Sequence, residues 1–387
     1  MGERTGDEAR VRRAIGLMSG TSMDGIDLAL VETDGDAVVK RGPGGFQSYE
    51  ASFRAEIESC LGDAKAITVR QERPGRLKAL EAEITRRHAS AVRAFLDTRA
   101  IEPSSVDVIG FHGQTVLHRP DRGLTVQLGD GVALARETGT TVVYDMRAND
   151  MAHGGQGAPL VPAYHAAMAA TLPRELSAGK PVAFVNIGGI SNVTLIESGR
   201  DPVAFDTGPG NALIDQWVQA RAGIGFDDGG SIASEGTVVG SVVARYMAND
   251  YFARTGPKSL DRGDFTLAEV ERLDLSDGAR TLARVTAEAI LKASDVLRTP
   301  PGLWIICGGG RRNRVVMADL SAGAARLGGR AILAEEVGLD GDSMEAEAWA
   351  YLAVRSLRGL PLTWPTTTGC REPVTGGVVA LPDNAST

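Results

Sequence analysis

The sequence predicts an α/β protein of two domains, and three observations carry that prediction. At 387 residues the chain is longer than one comfortable hydrophobic core needs. Short apolar runs alternate with longer amphipathic stretches along it. A strand–glycine turn–strand grammar opens the chain at "AIGLMSGTSMDGIDLALVETDG" and returns at "VAFVNIGGISNVTLIESG". The identity between those two stretches is low, so the return is an architectural echo.

The elements follow in order. Apolar runs at 14–18, 26–32, 106–111, 124–128 and 141–144 read as strands. Residues 76–97 repeat Leu77, Leu80, Ile84, Ala91 and Phe95 at helical spacing, and 131–138 reads as a shorter helix. The grammar then restarts with strands at 181–187, 192–197 and 203–205. Helices are expected at 211–222, 235–249, 267–273 and 277–297. A strand (303–307), a helix (313–323), a strand (331–335) and a last helix (343–358) complete the pattern, before a tail rich in Pro, Thr and Gly. The expected division is 14–138 with 350–380 as one domain and 139–349 as the other, with flexible ends at 1–13 and 381–387.

Composition excludes several classes. A net charge of −8 leaves no basic surplus for a nucleic-acid partner. No apolar run approaches the ~18 residues of a membrane span, and residues 1–13 carry no apolar signal region. Three scattered cysteines, Cys60, Cys307 and Cys370, lack metal-ligand spacing and point to a reduced, cytoplasmic protein. Glycine is the outlier: 48 of 387 residues, where an average usage of ~7% would give about 27. Many stand at the ends of apolar runs, where a ligand approaches backbone closely.

Neither a GxxxxGK[ST] loop nor a GxGxxG after the first strand is present, which removes the P-loop and the dinucleotide fold. Three other loops remain. Ser19–Gly25 combines Gly20 and Gly25 with the hydroxyls of Thr21 and Ser22, a composition suited to a phosphate. "FDTGPGN", 205–211, leads into a helix whose free N–H groups would favour an anion, and Asp206 there would act through Mg²⁺ and water. "CGGGRRN", 307–313, offers a flat glycine wall for a purine.

"GLMSGTSMDGID", "DMRANDMAHGGQGAPLVPAYH", "NIGGISN", "FDTGPGN" and "GLDGDSMEAEAWAYLA" together resemble the anhydro-N-acetylmuramic acid kinase family over about residues 14–376. That resemblance implies the sugar kinase/Hsp70/actin-like fold, two domains with ribonuclease H-like cores around a central ATP cleft. It also implies a reaction: the 1,6-anhydro ring of 1,6-anhydro-N-acetylmuramic acid is opened by water while ATP phosphorylates O6. The product is N-acetylmuramic acid 6-phosphate, in cell-wall recycling. ATP and Mg²⁺ are the implied cofactors, and a homodimer the implied assembly. One departure is Arg311-Arg312, where the family more often has a small residue after the triple glycine.

Carried onto this chain, the resemblance makes Gly20, Thr21, Ser22, Met23, Asp24, Gly25, Ile26 and Asp27 the first phosphate loop. Asp206, Thr207, Gly208, Gly210 and Asn211 become the second, and Gly308, Gly309 and Gly310 lie at the adenosine. Asp24, Asp27 and Asp206 are expected to reach Mg²⁺ through water. Water attack at a glycosidic carbon needs a carboxylate to accept its proton. The family's catalytic aspartate matches Asp150, with Asp145 as fallback; in an extended segment these two acids face opposite ways. Glu345 is expected to orient the water, although a first-turn helix acid accounts for it equally well. Gln114, Gln156 and Arg147 are candidates for the sugar, and His112 for the cleft wall. A kinase acting on a non-anhydro amino sugar is the alternative function, and a non-enzymatic ATP-binding protein the more remote one.

Overall fold

The computed structural model describes residues 10–382 apart from 21, 261, 262 and 342. Within them the chain up to Thr171, together with Ser343 onward, forms one compact unit, and the chain from Leu172 forms the other. Among the described residues no helix is long and apolar enough to cross a membrane.

In chain order the strands are β1 (Arg12–Ser19), β2 (Gly25–Thr33), β3 (Val39–Ser48), β4 (Val108–Arg119), β5 (Leu124–Leu128) and β6 (Thr141–Tyr144). The second unit adds β7 (Val182–Ile187), β8 (Ile190–Ile196), β9 (Val203–Pro209), β10 (Leu303–Cys307) and β11 (Arg330–Leu333), and β12 (Val378–Ala380) returns to the first. The first sheet runs β12-β6-β4-β1-β2-β3, with β5 paired to β4. The second runs β11-β10-β7-β8-β9. In each, three antiparallel strands are followed by two parallel neighbours: β1-β2-β3 then β4 and β6, and β7-β8-β9 then β10 and β11. The echo seen in the sequence is a repeated sheet topology.

One face of the first sheet packs Ile15, Leu17 and Ile109 against the helix Leu77–Thr98. The other face carries Gly16 and Gly110, paired in register on parallel neighbours. A Cβ on Gly16 would stand 1.8 Å from Ala346 O, and one on Gly110 2.0 Å from Trp349 O. The helix Met344–Leu357 therefore lies directly on the strands, its backbone occupying side-chain space. In the second unit Trp217, Leu282 and Ile290 form part of one core with Val185 and Ile306 of the sheet.

The structure moves the expected boundaries. Residues 139–171, Asp150 included, belong to the first unit, because β6 is the parallel partner of β4. Residues 343–349 belong there too, as the start of the helix seated on β1 and β4. β3 and the helix Ala51–Ala64 were not anticipated; β3 holds four residues of low strand propensity, Gly42, Pro43, Gly44 and Gly45. Residues 267–273 form turns, and 235–249 contain only the helix Gly240–Met247. The tail from residue 361 carries the short helix Pro365–Thr368 and β12.

Gly110→Ala is expected to lower the melting temperature by several degrees, since the added methyl meets backbone that cannot swing aside; overpacking costs about 1–3 kcal/mol or more. An unchanged thermal transition would show that the helix has room the geometry denies it.

Candidate active site

In the first unit the opening hairpin is closed by Met23, whose N–H donates to Gly20 O (3.2 Å) with φ at +53°. The Ser22 hydroxyl donates to Asp24 Oδ1 at 2.6 Å, so it braces an exposed carboxylate. Thr21 lies outside the described residues. Ile26 is wholly buried in β2 and belongs to the core, while Asp27 is half-buried opposite Met18. Gln114 is also fully enclosed: its amide donates to Gly20 O at 2.9 Å, and Oε1 has no partner among the described residues. In this structure Gln114 serves the hairpin.

His112 links that hairpin to the next segment. Arg147 brings only donors, its Nη2 3.0 Å from His112 Nε2, so that nitrogen accepts and the proton sits on Nδ1. Nδ1–H then points to Ser19 O at 3.3 Å. Burial holds this imidazole well below its usual pKa, and Arg147 pushes it further down. Arg147 also donates from Nη1 to Gly157 O (2.7 Å) and lies over the Trp349 ring. Burial lowers its pKa to about 10, against the opposing pull of Glu345 and then Asp150. Glu345 keeps solvent access but is ringed by protein, which raises its pKa, while Arg147 lowers it.

Asp150 sits in the short helix Ala148–Ala152, so the extended geometry expected for Asp145 and Asp150 does not apply. Its carboxylate is 2% exposed and saturated with donors: Thr363 and Thr368 hydroxyls on Oδ1, both at 2.6 Å, and Gly157 N–H on Oδ2 at 2.7 Å. A Cβ on Gly155 would stand 2.2 Å from Oδ2. Gln156 is half-buried, its N–H on Thr368 O at 2.9 Å. Asp145, with φ at +56°, instead pairs with Arg70.

In the second unit β7 and β10 run parallel with Cys307 opposite Asn186, which brings the Gly188-Gly189 turn beside the third glycine loop. The free helix N-terminus expected at Asn211 is not there. The N–H groups of Gly210, Asn211 and Ala212 donate to the carbonyls of Gly189, Gly188 and Gly189 at 2.8–3.1 Å. Gly210 has no room for a Cβ, which would meet Gly188 O at 2.2 Å. Thr207 is buried with its hydroxyl on Ser191 O, and a Cβ on Gly208 would stand 2.6 Å from Ala289 Cβ. The Asn211 side chain reaches the third loop: a Cβ on Gly310 would stand 2.9 Å from its Oδ1, and one on Gly308 2.2 Å from Asn186 Oδ1. Gly309 faces open space, with nothing nearer than 4.0 Å. Arg311 turns back onto its own loop, donating to Gly308 O and Glu335 Oε1 at 3.0 Å.

Asp206 is less enclosed than Asp150 and its carboxylate has fewer donors. Leu260 N–H on Oδ2 (2.9 Å) is its one carboxylate hydrogen bond among the described residues. Burial raises its pKa to about 6, and the Leu260 bond only partly offsets this. Tyr251 and Lys258 hold the surrounding backbone, with Tyr251 O–H on Asp206 O (2.5 Å) and Asp206 N–H on Lys258 O (3.0 Å). Lys258 itself donates to the carbonyls of Tyr251 and Arg254. Among the described residues no three His, Cys, Asp or Glu side chains converge as a metal site.

A sequence model of anhydro-N-acetylmuramic acid kinase matches residues 12–382. The chain belongs to the anhydro-N-acetylmuramic acid kinase family. The anhydro-N-acetylmuramic acid kinase of Agrobacterium fabrum is 57% identical over 369 residues, 95% of this chain and 98% of that one. That of Rhizobium johnstonii is 56% identical over 372 residues, covering 96% and 99%. Among solved structures, component A of the Acidaminococcus fermentans (R)-2-hydroxyglutaryl-CoA dehydratase aligns over 89% of this chain and 98% of its own, at 11% identity and a TM-score of 0.44.

Sequence reasoning did not find Thr363 and Thr368. They lie 213 and 218 residues from the carboxylate they hold, and nothing local marks them. Thr363→Val and Thr368→Val should each cost about 1–3 kcal/mol in urea unfolding, the penalty for stripping a donor from a buried charged acceptor. Wild-type stability in both would mean that Asp150 does not depend on them.

Proposed function

We propose that this chain is the ATP-dependent kinase that opens and phosphorylates 1,6-anhydro-N-acetylmuramic acid, giving N-acetylmuramic acid 6-phosphate and ADP. The observation that carries this reading is the family match through residues 12–382, with relatives of that name at 55–57% identity. In the reaction a water oxygen bonds to C1 as the C1–O6 bond breaks. O6 takes the γ-phosphoryl group, the bond to the β-phosphate bridging oxygen breaks, and the water's proton passes to a protein base.

Two aspartates compete for that proton. The motif match favours Asp150, but its lone pairs are largely occupied and its carboxylate enclosed. Asp206, in the second unit, has one carboxylate hydrogen bond among the described residues and a pKa raised to about 6 by burial, which makes it the rival. Asp150 is the base in this reading, its carboxylate held in place beside the 154–157 loop by Thr363, Thr368 and the Gly157 N–H. Glu345, beside Arg147, orients the water. Mg²⁺ would arrive with ATP, held by its phosphates, with Asp24 and Asp27 reaching it through water. The adenosine lies at Gly308–Gly310. A homodimer and a cytoplasmic location complete the reading on family resemblance.

The test is turnover of the anhydro sugar with ATP and Mg²⁺ in H₂¹⁸O, read by mass before the anomeric oxygen exchanges. A 6-phosphate carrying one ¹⁸O supports coupled opening and transfer; no product from this sugar refutes the substrate. Asp150→Asn should lose on the order of 10³-fold in kcat with ATP affinity retained. Because the folded pKa of Asp206 lies above its unfolded value of ~3.9, its contribution to stability is present below that value and lost as pH rises through about 6. Asp206→Asn should therefore melt above wild type at pH 8. A folded Asp150→Asn with wild-type turnover beside an inactive Asp206→Asn would move the base to Asp206.

A further inference from the structure

The backbone pairing of β1 with β4 breaks where the first hairpin begins. Leu17 stands opposite Phe111, but Ser19 stands opposite Gln114, so the register slips and Gly113 turns to φ +73°. Side chains take over the pairing there. Ser19 Oγ donates to Gly113 O and the Gln114 amide to Gly20 O, both at 2.9 Å. His112 makes the third contact, from Nδ1–H to Ser19 O at 3.3 Å.

His112 also carries the contact away from the hairpin. Its Nε2 accepts from Arg147 Nη2 at 3.0 Å, and Arg147 Nη1 donates to Gly157 O at 2.7 Å. The N–H of that same Gly157 donates to Asp150 Oδ2 at 2.7 Å. Hydrogen bonds therefore run without a break from the hairpin backbone to the Asp150 carboxylate, through one imidazole and one guanidinium. Trp349 packs against both groups, its ring 4.6 Å from that of His112 and 5.3 Å from the Arg147 guanidinium carbon. A neutral imidazole suits this place, because one ring nitrogen donates while the other accepts and the ring between them is rigid. A buried chain of fixed partners carries a displacement at one end to the other. The hairpin, His112, Arg147 and Asp150 all belong to the first unit, so the chain is internal to one body.

Resting on the reading of the hairpin as a phosphate loop and of Asp150 as the base, we propose that His112 is a positioning residue that couples nucleotide binding at the hairpin to the placement of Asp150 for the sugar. By linkage, each ligand then tightens the other by one common factor. The test is calorimetric binding of a non-hydrolysable ATP analogue with Mg²⁺ to the full chain, without and with saturating 1,6-anhydro-N-acetylmuramic acid. Wild type should bind the nucleotide about 5- to 150-fold more tightly when the sugar is present. His112→Asn keeps an amide donor near the Nδ1 position but offers Arg147 no acceptor; His112→Gln keeps an acceptor near Nε2 but loses the donor to Ser19. Each retains half of the link, so in both the factor should fall to one while nucleotide affinity without sugar is retained. Turnover should drop on the order of 10- to 100-fold in kcat, the cost of a misplaced base. Arg147→Lys, a single ammonium in place of the guanidinium fork, breaks the next link and should lose the factor as well. Independent binding of the two ligands by wild type overturns the proposal, as does a factor that survives in these variants. Weakened nucleotide binding with the factor intact overturns it too, as the mark of a merely local brace. If wild type binds the nucleotide but no sugar, the substrate reading falls and takes the coupling with it.

Discussion

The first unit depends on the seating of the helix Met344–Leu357 on a pair of glycines. Gly16 and Gly110 face each other across β1 and β4, and the helix backbone fills the space their side chains would take. That approach places Glu345 beside Arg147, and Trp349 under both the His112 ring and the Arg147 guanidinium. The indole N–H contacts Met18 Sδ, next to the hairpin. From one backbone-to-backbone contact the chain obtains a rigid wall along which its charged groups are arrayed.

The glycines of the three loops do different work from one another. At Gly210 and Gly310 they let loops pass at distances no side chain allows, joining β7, the helix Asn211–Ala222 and the third loop into one body. Helix N–H groups that look available in the sequence are spent on the Gly188 and Gly189 carbonyls. Gly309 alone among the three adjacent glycines faces open space.

Burial separates the two aspartates more than chemistry does. Asp150 is ringed by hydroxyls and an amide that favour its charged form, and it binds distant segments together. Asp206 is half-buried with less compensation, so its charge is costly and it holds its proton more tightly. A motif records both simply as aspartate.

The sequence by itself determined the α/β class, the repeated strand–glycine turn–strand grammar and the three loops, because apolar periodicity and glycine placement act over a few residues; the family was legible only as a resemblance of its motifs. Helices 131–138 and 211–222 and strand 303–307 were legible to the residue for the same reason. Tertiary structure decided the rest. The unit boundary moved because β6 pairs with β4, a contact between strands some thirty residues apart. How heavily each of the two carboxylates is hydrogen-bonded depended on Thr363, Thr368 and Leu260. Desolvation and hydrogen-bond satisfaction are properties of an enclosed volume, and a chain acquires that volume only when distant segments meet.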